Sequence, residues 1–203
     1  MHSIEKRNHK KLAILLKQQR KIFHVDDLEL LWNISNKHTL HSTLHRYTKN
    51  NYLIPIQRGL YSTVPLNQLN PIELGSALIH RYTYLTTETV LAQNGIIFQN
   101  IPHLTFVSSK TKKFVINSNS YICRQLKDKF LFHPAGVIQH TGYKQATTER
   151  AIADLLYFNP KYYFDTPDQI DWSSVKKIQK QIGYLLNSQI KMLFCTGPKS
   201  TNY

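Results

Sequence analysis

Cysteine is nearly missing from this sequence: among 203 residues only Cys123 and Cys195 are cysteine, far apart and in no CxxC or CxxH spacing. That excludes a disulfide framework and a zinc ribbon, and gives each thiol the expected role of a small buried apolar side chain. Long apolar runs are missing too. The longest early one is Leu12 to Leu16, too short for the core of a signal peptide and far short of a membrane span. The expectation is a cytoplasmic protein with no membrane partner. There is no GxxxxGK loop, GxSxG elbow, HExxH helix or GxGxxG turn after a strand, no internal repeat and no low-complexity tract. No cofactor and no metal are therefore expected, and no enzyme activity.

Acidic residues are scarce as well. Lys and Arg outnumber Asp and Glu by 26 to 12, a formal charge of +14, which favours polyanions or an acidic partner over small neutral ligands. Residues 1–64 hold 11 basic against 4 acidic residues and the remainder 15 against 8, so each part carries +7 and the first third is the more basic per residue. That distribution points to nucleic acid at the N-terminal end. The chain is 41% hydrophobic, enough to build a packed core.

The apolar spacing predicts a helix over Ile4 to Gln19 with Leu12, Leu15 and Leu16 on one stripe. A second helix is expected from Asp26 or Asp27 through Leu28, Leu31 and Trp32, and a third, capped by Ser35 or Asn36, to about Asn50. "YLIPIQ" and "LYSTV" then flank Arg58-Gly59, the pattern of a tight hairpin, with Pro55 confining its strand to an edge. Three short helices followed by a two-stranded wing is the order of a winged helix-turn-helix. "PLNQLNP", Pro65 to Pro71, reads as a linker, dividing a domain 1–66 from a domain 70–196, with 197–203 a frayed tail.

Beyond the linker, helices are expected over Ile72 to Arg81 and Thr86 to Asn94, the latter closed by Asn94-Gly95. "HLTFVSS", "KFVINSNSYICRQL", "KFLFH" and "GVIQHTGY" read as β-rich. A helix from Thr147-Thr148 runs to Asn159-Pro160, and a last one, capped by Asp171 or Ser173, carries Val175, Ile178, Ile182 and Leu185. The expected class is α+β: an N-terminal winged helix-turn-helix followed by a mixed α+β C-terminal domain.

The third helix holds three histidines at spacings of three and four. At about 100° per residue with Leu40 at zero, Leu44 falls near roughly 40° and Tyr47 near roughly 340°, a buried stripe. His38, His41, Ser42, His45, Arg46 and Lys49 fall between roughly 100° and roughly 240°, on the opposite face. A metal site there would have to share its face with Arg46 and Lys49 and would lack a carboxylate. Donors and cations facing outward suit the reading of base edges and phosphates, and Arg58 at the wing tip adds a phosphate or minor-groove contact. The plain alternative is a solvated polar face. These seven residues are the candidate DNA-binding set.

"LHRYTKNNYLIPIQRGLYSTV" resembles the end of the winged-helix domain in the AbiEi-like antitoxin and transcriptional-regulator family of type IV toxin-antitoxin systems, through Arg58, Gly59 and Tyr61. "NPIELGSALIHRYTYLTTETVLAQNGI" is similar to that family's helical linker, including Tyr82 to Thr86 and Gly95. "HTGYKQATTERAIADLLYF" is similar to its threonine, glutamate-arginine and aspartate helix, at Thr148, Glu149, Arg150 and Asp154, and "QKQIGYLLNSQ" to a late helix with Gly183, Tyr184 and Leu185. The order of these segments over residues 36–190 carries the resemblance more than any one of them. It implies a DNA-binding autorepressor, bound to operator DNA, that counteracts a cognate toxin, usually a nucleotidyltransferase-like protein encoded beside it.

Glu149, Arg150 and Asp154 admit two readings. Arg150 stands four residues before Asp154, the spacing of a surface or domain-packing ion pair. Alternatively Glu149 and Asp154 are metal-binding carboxylates of a nuclease domain assisted by Lys144 or Arg150, although five-residue spacing turns them roughly 140° apart. A winged-helix regulator whose C-terminal domain senses a ligand is the other alternative.

Overall fold

The computed structural model describes residues 10–184, a mixed α+β chain that parts into two compact units, one ending at Leu78 and the other beginning at Ile79. The start of the first expected helix, residues 4–9, together with Leu185, Cys195 and the tail 197–203, lies outside the described residues, and residues 17–19 at its expected end form a turn and bend instead of helix. In the first unit, residues 10–16 form α1, followed by β1 (Ile22–His24), α2 (Val25–Trp32), α3 (Lys37–Lys49), β2 (Ile54–Gln57) and β3 (Leu60–Ser62). The strands form one antiparallel sheet in the order β1-β3-β2.

One apolar cluster joins these elements. Leu15 of α1, Phe23 of β1, Leu28 and Trp32 of α2, and Leu40, Leu44 and Tyr47 of α3 are all buried in it. Trp32 sits 5.0 Å from Tyr47, ring to ring, and its indole N–H donates to the Lys11 carbonyl at 3.3 Å. Leu12 packs on the cluster, but Leu16 is 69% exposed and does not share the expected stripe. The core meets α1 on the Leu15 side, and a step of about 100° carries the next residue off it.

Between α2 and α3, Asn33 takes a left-handed φ of 50° and the Ile34 N–H reaches back to the Glu29 carbonyl at 3.0 Å. The side chain of Asn36 then accepts from the Thr39 N–H at 3.0 Å and starts α3. At the hairpin, Arg58-Gly59 turns the chain with Gly59 at φ +77°, a conformation a side chain would strain. The Gly59 carbonyl accepts the Val25 N–H at 2.9 Å, which ties the turn to the start of α2. Pro55 lies on β2, an edge strand, and the β2–β3 register shifts between Pro55 and Gln57.

The expected linker contains one 3-10 turn, Leu66–Gln68, and leads into α4 (Pro71–Ile79). The units part after Leu78, so most of α4 goes with the first unit rather than with the segment 70–196. Within the first unit, burial raises the Glu73 carboxyl of α4, and a hydrogen bond from the Lys21 backbone N–H lowers it in part.

The second unit is a six-stranded mixed sheet with order β6-β7-β5-β4-β9-β8. Its strands are β4 (Thr83–Leu85), β5 (His103–Ser108), β6 (Lys112–Ile116), β7 (Asn119–Gln125), β8 (Val137–His140) and β9 (Tyr143–Ala146). β4 runs parallel to β9 and β5 to β7; the other neighbours are antiparallel. Helix α5 (Thr87–Gln93) packs on β5 and on α7 (Thr148–Phe158), which also packs on α8 (Trp172–Ile182). α5 ends at Asn94-Gly95, with Gly95 at φ +69°.

"KFLFH" is not a strand. It lies in and after the single-turn helix α6 (Asp128–Leu131), with adjacent Phe130 and Leu131 both buried. A strand would send those neighbours to opposite faces. The turn also aims the carbonyls of Phe130, His133 and Ala135 at one side chain, that of Arg150.

Arg150 and Asp154 are each 0% exposed and form an ion pair on α7, Nε to Oδ1, at 2.9 Å. All five guanidinium N–H groups have acceptors: Asp154, the Tyr84 hydroxyl, and the carbonyls of Phe130, His133 and Ala135. Asp154 in turn takes Arg150 and Tyr184 at Oδ1, and Tyr84 and Thr86 at Oδ2, at 2.6–3.0 Å. Thr105 helps set Thr86, its hydroxyl donating to the Thr86 carbonyl at 2.7 Å. Gly136, at φ +71°, passes so close that a Cβ would lie 2.7 Å from the Arg150 Cβ.

Replacing Asp154 by Ala strands a buried guanidinium, and a loss of about 3–5 kcal/mol is expected for the second unit. Gly136→Ala, which adds backbone strain to a clash, should cost at least about 1–3 kcal/mol. Urea unfolding followed by circular dichroism tests both; an unchanged midpoint for Asp154→Ala removes the pair from the stabilising interactions.

Candidate nucleic-acid interface

The same helix that fills the core of the first unit turns a polar face outward. Leu40, Thr43, Leu44 and Tyr47 of α3 are buried, while His38, His41, Ser42, His45 and Lys49 are exposed. Leu and Tyr on one side of a 3.6-residue period force the histidines to the other. Arg58, at the tip of the β2–β3 turn, is exposed as well.

Arg46 differs from the rest. It is half-buried, and its Nε is buried with no hydrogen-bond partner among the described residues. At roughly 240° it stands at the boundary of the stripe, beside buried Thr43 at roughly 300°. Its charge lies near Tyr47, whose phenol burial pushes up to about 12 against the lowering effect of Arg46. Arg46 therefore belongs partly to the core edge, while the other six candidates stand in solvent.

Lys37 is exposed in the first turn of α3, at roughly 60°, on the leucine side of that face rather than among the candidates. A cation at the positive end of a helix works against the dipole. Arg46 and Lys49, in the last turn, do complement the dipole. Among the described residues, no three His, Cys, Asp or Glu side chains come together where they could hold a metal ion.

The second unit places the other sequence candidates differently. Arg150 and Asp154 are not on the surface; they are the buried pair of α7, and Glu149 is half-buried beside them. Burial raises the Asp154 carboxyl against the pull of Arg150 and three hydroxyls. Arg150 is held cationic, burial being outweighed by Asp154 and the tyrosines. Four donors meet the four lone-pair sites of the carboxylate, two at each oxygen.

Sequence reasoning missed a second polar cluster. Arg124 donates to Glu88 at 2.6 Å. Burial would raise Glu88, but the hydrogen bond from Arg124 holds it low. Thr87 itself adopts φ +52°, unusual for a β-branched residue. The thiol of Cys123 is buried and pushed up to about 11 by that burial.

Comparison with models of known protein families and with curated proteins gives no match for this chain. Among the described residues no helix is long and apolar enough to cross a membrane.

The exposed candidates make no contribution to the core, so Ala at His41, Ser42, His45, Lys49 or Arg58 should leave unfolding within about 0.5 kcal/mol of the parent. Leu44→Ala, on the opposite face, should cost about 2–5 kcal/mol. Thermal and urea melts distinguish the two faces.

Proposed function

We propose that this protein is a cytoplasmic DNA-binding transcriptional autorepressor and antitoxin that counteracts a nucleotidyltransferase-like toxin, without catalysis of its own. The first unit is read as a winged helix-turn-helix. The order α1-β1-α2-α3-β2-β3, the four-residue turn from Asn33 to Asn36 and the hairpin ending at Arg58-Gly59 support that reading. α3 is then the recognition helix and the β2–β3 hairpin the wing.

The observation that carries the DNA reading is the exposed face of α3, where His38, His41, Ser42, His45 and Lys49 stand together with no acidic residue on the helix. Donors near the centre of that face suit base edges, and Lys49 at its end and Arg58 on the wing suit phosphates. The antitoxin role rests on the order of the family-like segments over residues 36–190.

Replacing His41, Ser42 or His45 by Ala should cost about 1–3 kcal/mol at the operator and relax preference at one base position. Lys49→Ala and Arg58→Ala should weaken operator and scrambled duplex alike and lower the log-log salt slope by about one unit. Fluorescence anisotropy at several salt concentrations measures both. Unchanged slopes and affinities for Lys49→Ala and Arg58→Ala would overturn the DNA reading. Coexpression of the full chain with the nucleotidyltransferase-like protein encoded beside it should restore growth; continued arrest would overturn the antitoxin role alone.

A further inference from the structure

The sheet of the second unit ends on β6, which has a hydrogen-bonded neighbour, β7, on one side only. Which of its peptide groups are spent on that neighbour follows from β7. The Leu126 N–H donates to the Ser108 carbonyl at 2.9 Å, continuing the β5–β7 ladder, so the even-numbered residues of β7 turn their peptide groups to β5. The odd-numbered ones, Tyr121 and Cys123 among them, turn theirs to β6, where their partners are Phe114 and Lys112. The hairpin turn agrees. Asn117 and Ser118 take positive φ, at 48° and 63°, the two-residue turn whose flanking pair, Ile116 and Asn119, is hydrogen-bonded. Lys113 and Val115 therefore point their N–H and C=O groups away from the sheet.

This edge carries charge of one sign. Lys112 and Lys113 are exposed at its start, and no Asp or Glu stands between Lys110 and Gln125. Apolar side chains follow: Phe114 is stacked on Tyr121 at 4.8 Å under the Lys112 ammonium, and Val115, on the other face, is 71% exposed. At the opposite edge, β8 carries no lysine and its Val137 N–H is already taken by the Pro134 carbonyl at 3.1 Å. Outward peptide groups beside lysines and then apolar side chains match an extended segment with acidic residues next to apolar ones.

Edge lysines keep like strands apart, because a second copy of β6 would set lysine against lysine. The ends of this chain offer no match either. Residues 185–203 hold Lys191 and Lys199 and no acidic residue, and residues 1–9 hold Glu5 beside Lys6 and Arg7. An acidic strand from another protein meets neither obstacle.

We propose that β6 takes an extended acidic segment of a partner protein as an added strand. The segment's peptide groups pair with those of Lys113 and Val115, and its carboxylates meet Lys112 and Lys113. The surface lies within the second unit, and its occupancy is measured without DNA.

Amide NMR of the full chain with acetyl-Glu-Glu-Thr-Val-Thr-amide and with its reverse, acetyl-Thr-Val-Thr-Glu-Glu-amide, covers both strand directions. One of them should saturate below millimolar concentration, shift the Lys113 and Val115 signals and slow their hydrogen exchange about fivefold or more. Added salt should weaken it. The same peptide methylated on its backbone nitrogens keeps its charge and loses its pairing edge, and should bind about tenfold more weakly; Lys in place of each Glu should abolish binding. Val115→Pro removes an outward N–H and no ladder bond, so the melting temperature should hold while peptide binding falls about tenfold. If that variant melts early, the methylated peptide decides. The proposal is overturned if neither peptide saturates at millimolar concentration, if the methylated or the lysine peptide binds like the parent, if a stable Val115→Pro protein keeps full binding, or if a DNA duplex shifts Lys113 and Val115 and the peptides do not.

Discussion

Two opposite charges withdrawn wholly from water, Arg150 and Asp154, each lose several kcal/mol of solvation, and their attraction offsets that only when every remaining donor and lone pair is also met. The second unit meets them all. One strand supplies Tyr84, the residue before α5 supplies Thr86, α6 and the loop after it supply three carbonyls, and the end of α8 supplies Tyr184. Gly136 exists where the loop crosses the Arg150 side chain because nothing larger fits. The sheet, the short helix and the two long helices are thus held to one another through a polar centre as well as through apolar packing. Tyr184 and Phe130, two members of that same set, also line a cavity of about 360 Å³.

The first unit rests on the other kind of constraint. α3 is amphipathic, and its two faces do separate work. Leu40, Leu44 and Tyr47 lock it to α1, α2 and β1, which fixes the direction in which His41, Ser42 and His45 look out. Rigidity behind a surface is what lets a few short side chains read a groove. The hydrogen bond from the Val25 N–H to the Gly59 carbonyl extends that rigidity to the hairpin carrying Arg58.

Local signals were legible wherever one short segment decides its own structure. The α3 stripe, the Asn36 cap, the Arg58-Gly59 turn and the Asn94-Gly95 closure follow from helical spacing and from side chains that satisfy nearby backbone groups. Signals that depend on distant partners were not. Arg150 and Asp154 stood out at four-residue spacing, yet spacing cannot tell a solvated pair from a buried one, because Tyr84 and Thr86 lie some 70 residues away. "KFLFH" has strand composition, and its carbonyls are drawn into a turn by Arg150. Among the seven candidate residues, the boundary position of Arg46 was readable only as an angle, whereas its buried Nε depends on what packs beside it.

The sequence distances within the polar centre bear on how the second unit acquires its structure. Tyr84 precedes Asp154 by 70 residues, and Tyr184 follows it by another 30. A partly assembled centre, with Arg150 enclosed and Asp154 lacking donors, is less favourable than one still in water. Intermediates that bury α7 early are therefore disfavoured, and the pair is expected to dehydrate late, after β4 and the end of α8 have both arrived. On the ribosome the same arithmetic applies in time. The segment from β4 to α7 is made before residue 184, so a nascent chain that carries that segment alone is expected to hold the pair one donor short, with Tyr184 still to come.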